Sequence, residues 1–164
     1  ACAFMGKQGV TRMGLAGHSM GALIALLAAS EMPAVEAVCC LAGRLSGMDP
    51  LRFLTSAQQT ELQQKGRIRF ASRGRDLQLT SGFFADAGQF DLPQTIQSLQ
   101  TPLLIIHGDQ DEIVPVDEAH RARDLSPEYI KLAVIPSGDH MFSNSDQRRD
   151  VAKMVVQWFD HHFG

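Results

Sequence analysis

Apolar residues are concentrated in four short runs along the chain. The runs are Thr11–Gly17, Val35–Ala42, Pro102–His107 and Ile130–Pro136. The second run, Val35–Ala42, is continuous rather than alternating, which is typical of a parallel strand that is covered on both faces. Met20–Ser30, between the first two runs, is apolar nearly all round and predicts a helix buried against a sheet, ended by Pro33. The pattern therefore predicts an α/β fold in which a mostly parallel sheet is flanked by helices.

The end of the chain predicts an amphipathic helix over Asp146–Phe159. Its apolar residues fall on one stripe, formed by Val151, Met154, Val155, Trp158 and Phe159.

The interval 43–100 interrupts the alternation of strands and helices. Within it, Thr55–Lys65 predicts a polar helix, and the segments on either side of residues 72–75 predict a hairpin. An interval of this length without a strand of the main sheet favours a small inserted cap over a structureless loop. The predicted organisation is therefore a core at 1–42 and 101–164 and an inserted cap at 43–100.

Composition and charge exclude some classes of function. The 164 residues carry a net charge of -3 and are 45% hydrophobic, which suits one domain with a real core. A nucleic-acid binder would normally carry a basic patch. The start of the chain lacks the pattern of a signal peptide, and the longest apolar stretch, Met20–Ala29, is too short to span a bilayer. We therefore expect neither a nucleic acid nor a membrane as a partner.

The three cysteines indicate a reducing compartment. Cys39 and Cys40 are neighbours in a predicted strand, so their side chains point to opposite faces and are poor disulfide partners. Cys2 lies alone near the start, and no C-x-x-C spacing indicates a metal site. We expect buried thiols in a cytoplasmic protein.

The strongest chemical signal is Gly17-His18-Ser19-Met20-Gly21, a G-x-S-x-G sequence between a predicted strand and a predicted helix. A serine on such a tight turn projects its hydroxyl above the sheet, and both glycines are expected to avoid collisions with neighbouring backbone. The backbone N–H of Met20, at the start of the helix, can then stabilise a developing oxyanion. This sequence predicts Ser19 as a nucleophile.

Two carboxylates and a histidine follow later strands of the same predicted sheet. Asp109 and Asp111 come directly after the run that ends at His107, and spacing alone does not choose between them. His140 follows the next strand, where it can take the serine proton and return it to a leaving group. The chain order serine, aspartate, histidine is the order expected of this arrangement. His18, beside the serine, is interpreted as a packing residue, with the floor of the site as its alternative place, and His107 is interpreted as a structural residue at the end of its strand.

These motifs resemble those of the α/β-hydrolase superfamily, and the resemblance covers essentially the whole chain. The segment from His107 to Pro115 is similar to the family's H-G-D-x-D-x-x-V-P pattern, which implies Asp111 as the triad acid and Asp109 as a loop-shaping residue. The segment 79–86 within the interval resembles the cap of bacterial cinnamoyl- or feruloyl-esterase-like hydrolases. Serine aminopeptidase-like and acyl-peptidase-like enzymes have similar C-terminal halves.

One departure from the family concerns the start of the chain. The family has several strands before the nucleophile strand, and the residues before Thr11 leave room for none. In the family, the loop that supplies a second oxyanion donor belongs to that part. Met20 is therefore the one oxyanion donor that the resemblance implies in this sequence. We expect a C-terminal part of the fold, with a sheet edge exposed to association.

The resemblance implies a serine hydrolase that cleaves small carboxylic esters through an acyl-enzyme intermediate. Ser19, His140 and Asp111 would form its triad, and neither a metal nor an organic cofactor is expected. A serine peptidase of the aminopeptidase or acyl-peptidase type is the first alternative. A non-catalytic fragment that acts as a binding module is the second.

Overall fold

The computed structural model describes residues 2–47, 50–72, 74–126 and 128–164. The chain divides into two compact units, one formed by Ala1–Ser46 with Leu92–Gly164 and the other by Gly47–Asp91. Compared with the predicted boundaries, residues 43–46 and 92–100 lie in the first unit rather than in the second.

The helices and strands of the first unit alternate along the chain, as in an α/β protein. In chain order the strands are β1 (Met13–His18), β2 (Val35–Leu41), β3 (Arg67–Ser72), β4 (Arg75–Thr80), β5 (Leu103–Gly108) and β6 (Ile130–Ile135). The α-helices are α1 (Cys2–Lys7), α2 (Met20–Glu31), α3 (Ser56–Lys65), α4 (Ser81–Ala87), α5 (Leu92–Ser98), α6 (Asp117–Leu125) and α7 (Ser145–Phe163), and a short 3-10 helix lies at Pro50–Phe53.

The first unit is built on a four-stranded sheet in the order β1-β2-β5-β6. All three pairings are parallel, so the four strands end at the same edge of the sheet. The four apolar runs thus form the predicted parallel sheet, with their ends shifted by one or two residues. Within the described ranges, β1 lies at one edge and is paired with β2 only.

Helices cover both faces of this sheet. Helix α7 packs its apolar stripe, with Val151 and Trp158 buried, on the face that holds Cys39. Helix α2 lies on the opposite face, where the thiol of Cys40 donates to the carbonyl of Ala22 at 3.4 Å. The adjacent cysteines therefore point to opposite faces, as predicted. Burial raises the pKa of the Cys39 thiol to about 12 and also raises that of Cys40, so both remain protonated.

The second unit joins a helix to a hairpin. Thr55 caps α3 by accepting the N–H of Gln58 at 3.2 Å, and Gly66 ends the helix with a φ of 66° that favours glycine. Strands β3 and β4 are antiparallel and form the predicted hairpin, although Arg73 in its turn lies outside the described residues. A small core of Leu62, Ile68 and Phe84 joins these elements.

Several features differ from the prediction. Helices α1, α4 and α5 were not predicted, because six or seven residues are too few for a helical period to appear in the sequence. Helix α7 continues to Phe163, which extends the apolar stripe by one more turn and packs against the same core. Cys2 is half-buried rather than buried. No helix in the described part of the chain combines the length and apolarity needed to cross a membrane.

A buried carboxylate fixes the segment that follows β2. Glu118, 6% exposed, accepts the backbone N–H groups of Leu45 at 3.2 Å and Ser46 at 2.8 Å, and it pairs with the Arg44 guanidinium at 3.2 Å. Burial opposes ionisation of Glu118, but the hydrogen bonds from Ser46 and the charge of Arg44 outweigh it and lower the pKa of this carboxyl. The loop therefore depends on a charged acceptor.

Replacing Glu118 by glutamine should lower the free energy of unfolding by about 1–3 kcal/mol at neutral pH, because the charged acceptor is lost. Folding lowers the pKa of Glu118, so its stabilisation is complete above the unfolded pKa and disappears as pH falls through the folded value. Urea unfolding of parent and variant across pH measures this difference, and the two stabilities should converge in acid. The control Glu31→Gln changes an exposed carboxylate at the end of α2 and should have little effect. Equal losses in both variants would contradict the prediction.

Candidate active site

Ser19 occupies the turn between β1 and α2 in a strained backbone conformation. Its φ is 56° and its ψ is -119°, a region that residues with side chains seldom adopt. A Cβ atom on Gly17 would overlap the carbonyl of Gly21, so glycine is required at position 17. The expectation for Gly21 was wrong, because a Cβ there would meet nothing within 4 Å among the described residues. The turn thus depends on one close approach rather than two.

The loop between β6 and α7 carries His140 and is also strained. Ser137 and Phe142, on either side of His140, have φ values of 55° and 47°. A Cβ on Gly108, at the end of β5, would overlap the carbonyl of Gly138. The loop therefore lies directly against the end of the neighbouring strand, and glycine makes this approach possible.

Hydrogen bonds hold the same loop. The N–H of Gln110 donates to the carbonyl of Gly138 at 3.0 Å. The Asp139 carboxylate accepts the N–H of Ser143 at 2.7 Å, and this bond lowers the pKa of the Asp139 carboxyl. Both contacts fix the backbone next to His140.

Two hydrogen bonds join Ser19, His140 and Asp111. His140 Nε2 lies 3.0 Å from Ser19 Oγ, and His140 Nδ1 lies 2.8 Å from Asp111 Oδ2. The carboxylate only accepts, so Nδ1 carries the proton and Nε2 of the neutral ring is free to accept from the serine hydroxyl. The arrangement can activate a hydroxyl as a nucleophile.

The Asp111 carboxylate is buried and fully engaged. Its Oδ1 accepts the backbone N–H groups of Ile113 at 2.9 Å and Val114 at 2.8 Å, which leaves Oδ2 for His140. Asp109 differs, since its side chain is exposed and its backbone N–H donates to the Ile135 carbonyl at 3.2 Å. The fold thus separates two aspartates that spacing alone could not distinguish.

Two histidines interpreted from the sequence as packing or structural residues contact the site. His107, fully buried, lies with Nε2 2.8 Å from the Val114 carbonyl and 3.3 Å from Asp111 Oδ2. His18 Nε2 lies 2.7 Å from the main-chain carbonyl of His140. The sequence signal for both is their place beside the motifs, one before the nucleophile and one at the end of the acid strand.

A helix begins directly after Ser19, and exposed apolar side chains lie close in sequence to the three hydrogen-bonded residues. Met20 begins α2, where the first backbone N–H groups have no carbonyl within the helix. The side chains of Met20, Ile113 and Met141 are 60%, 63% and 54% exposed, and each lies one or two residues from Ser19, Asp111 or His140. Among the described residues, no group of three or more histidine, cysteine or acidic side chains is arranged to hold a metal ion.

Comparison with known proteins identifies a family for this chain and relatives of part of it. The sequence profile of the prolyl oligopeptidase family matches residues 1–164. A monoacylglycerol lipase from Mycolicibacterium smegmatis is 32% identical over 72 residues, which are 43% of this chain and 26% of the lipase. The match therefore spans about a quarter of the length of that curated relative.

Solved structures share the fold over nearly all of the chain. The esterase domain of a Rhodothermus marinus protein superposes with a TM-score of 0.77 at 24% identity, covering 99% of this chain and 67% of that chain. Mouse alpha/beta hydrolase domain-containing protein 10 gives a TM-score of 0.69 at 23% identity, covering 92% of this chain and 62% of that chain. At these identities the likeness is one of fold.

The two glycines of the turn should respond differently to the same added methyl group. Gly17→Ala should lower the free energy of unfolding by about 1–3 kcal/mol, because the new Cβ forces the backbone of Gly21 away. Gly21→Ala has open space within a helix and should be neutral or stabilising by about 0.5–1 kcal/mol. Denaturant unfolding of the two variants tests this. Equal destabilisation of both would show that the close approach at Gly17 does not determine the effect of the added methyl group.

Proposed function

The chain belongs to the prolyl oligopeptidase family and has the α/β-hydrolase fold, and from this premise we propose that it is a serine hydrolase acting on carboxylic esters. The observation that carries the proposal is the continuous hydrogen-bonded series from Ser19 Oγ through the His140 ring to Asp111, with distances of 3.0 and 2.8 Å. In this series the serine hydroxyl faces one imidazole nitrogen and the carboxylate faces the other, which is the arrangement that nucleophilic catalysis by serine requires.

The proposed reaction has two steps. Ser19 Oγ attacks the carbonyl carbon of the ester while His140 Nε2 takes its proton, and Asp111 stabilises the resulting imidazolium. The Met20 N–H stabilises the oxyanion, and collapse of the tetrahedral intermediate expels the alcohol, which receives the proton from His140. Water then attacks the acyl-enzyme with His140 again as the base, and this releases the acid and restores Ser19.

Two observations favour an apolar ester as the substrate. Met20, Ile113 and Met141 carry exposed apolar side chains one or two residues from Ser19, Asp111 and His140, and such side chains can bind an apolar group of a substrate. The lipase to which the chain is 32% identical over 72 residues is described as acting on monoacylglycerols. Both support small esters with an apolar acyl or aryl group.

The family match favours a second candidate, a serine peptidase. The same nucleophile and base can cleave an amide, whose poorer leaving group depends more strongly on protonation by His140. Paired p-nitrophenyl esters and aminoacyl p-nitroanilides with the same acyl group distinguish the two candidates. An esterase should show a ratio of ester to anilide kcat/KM that exceeds the ratio of the uncatalysed hydrolysis rates of the two substrates. A ratio below that of the uncatalysed rates supports a peptidase.

Removal of the nucleophile is the direct test of the serine hydrolase proposal. Ser19→Ala should abolish labelling by a fluorophosphonate probe and lower kcat by several orders of magnitude, because no other hydroxyl faces His140 Nε2 in the described geometry. Ser143→Ala, in the loop beyond His140, is the matched control and should label like the parent. Labelling of the Ser19 variant at the parent's rate would contradict the proposal, and a parent that does not label would favour the binding-module alternative.

The two aspartates provide a matched pair for the acid. Asp111→Asn should lower kcat by about 10³–10⁴, because an amide favours the wrong tautomer of His140. Asp109→Asn makes the same chemical change on an exposed side chain and should have little effect. Steady-state ester hydrolysis measures both, and an equal or larger loss at Asp109 would reverse the assignment.

A further inference from the structure

We propose that His18 is a positioning residue whose Nε2–H holds the main-chain carbonyl of His140 and so keeps the His140 ring in place between Ser19 and Asp111. This proposal rests on the function proposed above. The observation behind it is the 2.7 Å distance between His18 Nε2 and the His140 carbonyl oxygen. Because a carbonyl oxygen can only accept, Nε2 of His18 must carry a proton.

The order of the strands explains why such a bond is needed. Strand β6, which leads into the His140 loop, is separated from β1 by β2 and β5. Neighbouring strands lie about 4.8 Å apart, so the loop must cross roughly 14 Å to bring His140 to Ser19. A loop that reaches so far, with strained residues at Ser137 and Phe142, needs a contact at its far end.

His18 makes that contact at the point closest to the chemistry. It is the last residue of β1 and directly precedes Ser19. Two bonds therefore join the same two segments, one from the His18 ring to the His140 backbone and one from the His140 ring to the Ser19 hydroxyl. Together they form a closed loop of contacts in which neither backbone can shift without lengthening one of the bonds.

Ring contacts hold His18 in the orientation that this bond requires. Its ring centroid lies 5.0 Å from that of His140 and 6.4 Å from that of Phe142, which is buried. The edge of the Phe142 ring and the tilted face of His140 leave little freedom for rotation of the imidazole. The donor is therefore held in place before any substrate binds.

Loss of the His18 bond should change kcat and KM to different extents. The His18 bond holds a backbone carbonyl, and the position of the His140 ring follows from that of its own backbone. A displacement of about 1 Å from reactive geometry lowers a rate by about 100-fold. Loss of the bond should therefore lower kcat and leave KM little changed, since the contact belongs to the base rather than to the substrate.

Two substitutions separate the hydrogen bond from the rest of the ring. His18→Gln places an amide N–H near the position of Nε2, whereas His18→Leu keeps an apolar side chain without a donor. We expect kcat to fall about 10- to 100-fold in the leucine variant, with KM within about two-fold, and to recover most of that loss in the glutamine variant. His161→Gln and His161→Leu, at an exposed position of α7, are matched controls and should behave like the parent.

Nitrogen-15 NMR of the histidine rings tests the contact without turnover. The parent should show His18 protonated at Nε2 and His140 protonated at Nδ1, and the leucine variant should shift or broaden the His140 signals while its melting curve stays cooperative. If the parent fails to label with fluorophosphonate but these NMR results hold, the hydrolase proposal fails and the positioning contact stands. Any one of three results would overturn the proposal. The first is a His18 Nε2 without a proton in the parent, and the second is a leucine variant in which both kcat and the His140 signals are unchanged. The third is an equal loss of kcat in the glutamine and leucine variants.

Discussion

The parallel pairing of four strands is the constraint on which the rest of the molecule depends. Parallel strands end at one edge of a sheet, so the loops that follow them meet there. Ser19 and His140, which are 121 positions apart, are brought within 3.0 Å because their loops follow β1 and β6 at that edge. Asp111 reaches His140 from the loop after β5, which lies between them in the sheet. The apolar strands thus bring together polar groups that are distant in sequence.

Close backbone approaches make this edge compact, and the cost is local strain. Gly17 and Gly108 each lie where a side chain would overlap a neighbouring carbonyl, one at the nucleophile turn and one beneath the His140 loop. Positive φ values at Ser19, Ser137 and Phe142 add strain of the kind that persists only where the surroundings enforce it. The buried strands and the α7 core provide that support. A site arranged before substrate binds loses less free energy to reorganisation during the reaction.

Two further histidines, His107 buried and His18 half-buried, extend this preorganisation beyond the three residues of the series. His107 lies against the Asp111 carboxylate and the Val114 carbonyl, and His18 lies against the His140 carbonyl. Both present Nε2 to acceptors in the loops that carry Asp111 and His140. Backbone carbonyls and a carboxylate are costly to bury without hydrogen-bond donors. The two rings therefore provide donors to acceptor groups of these loops and also hold the loops in position.

The sequence by itself determined the strands of the main sheet, helices α2 and α7, and the turn that holds Ser19. Short apolar runs identified the four strands, the stripe from Val151 to Phe159 identified α7, and the residues around Ser19 identified a strand-to-helix turn. These features are local, and local patterns of burial and turn geometry are visible along a chain. The short helices α4 and α5 had no such period and needed tertiary packing to form.

Only the tertiary structure decided which polar groups meet. Asp109 and Asp111 are two residues apart and chemically identical, yet one side chain is exposed and the other is buried against His140. Likewise, His18 and His107 were indistinguishable from packing residues until the loops were brought over the sheet edge. The physical reason is that a hydrogen bond depends on distance and direction in space, and the order of strands in a sheet sets these between residues that are remote in the chain.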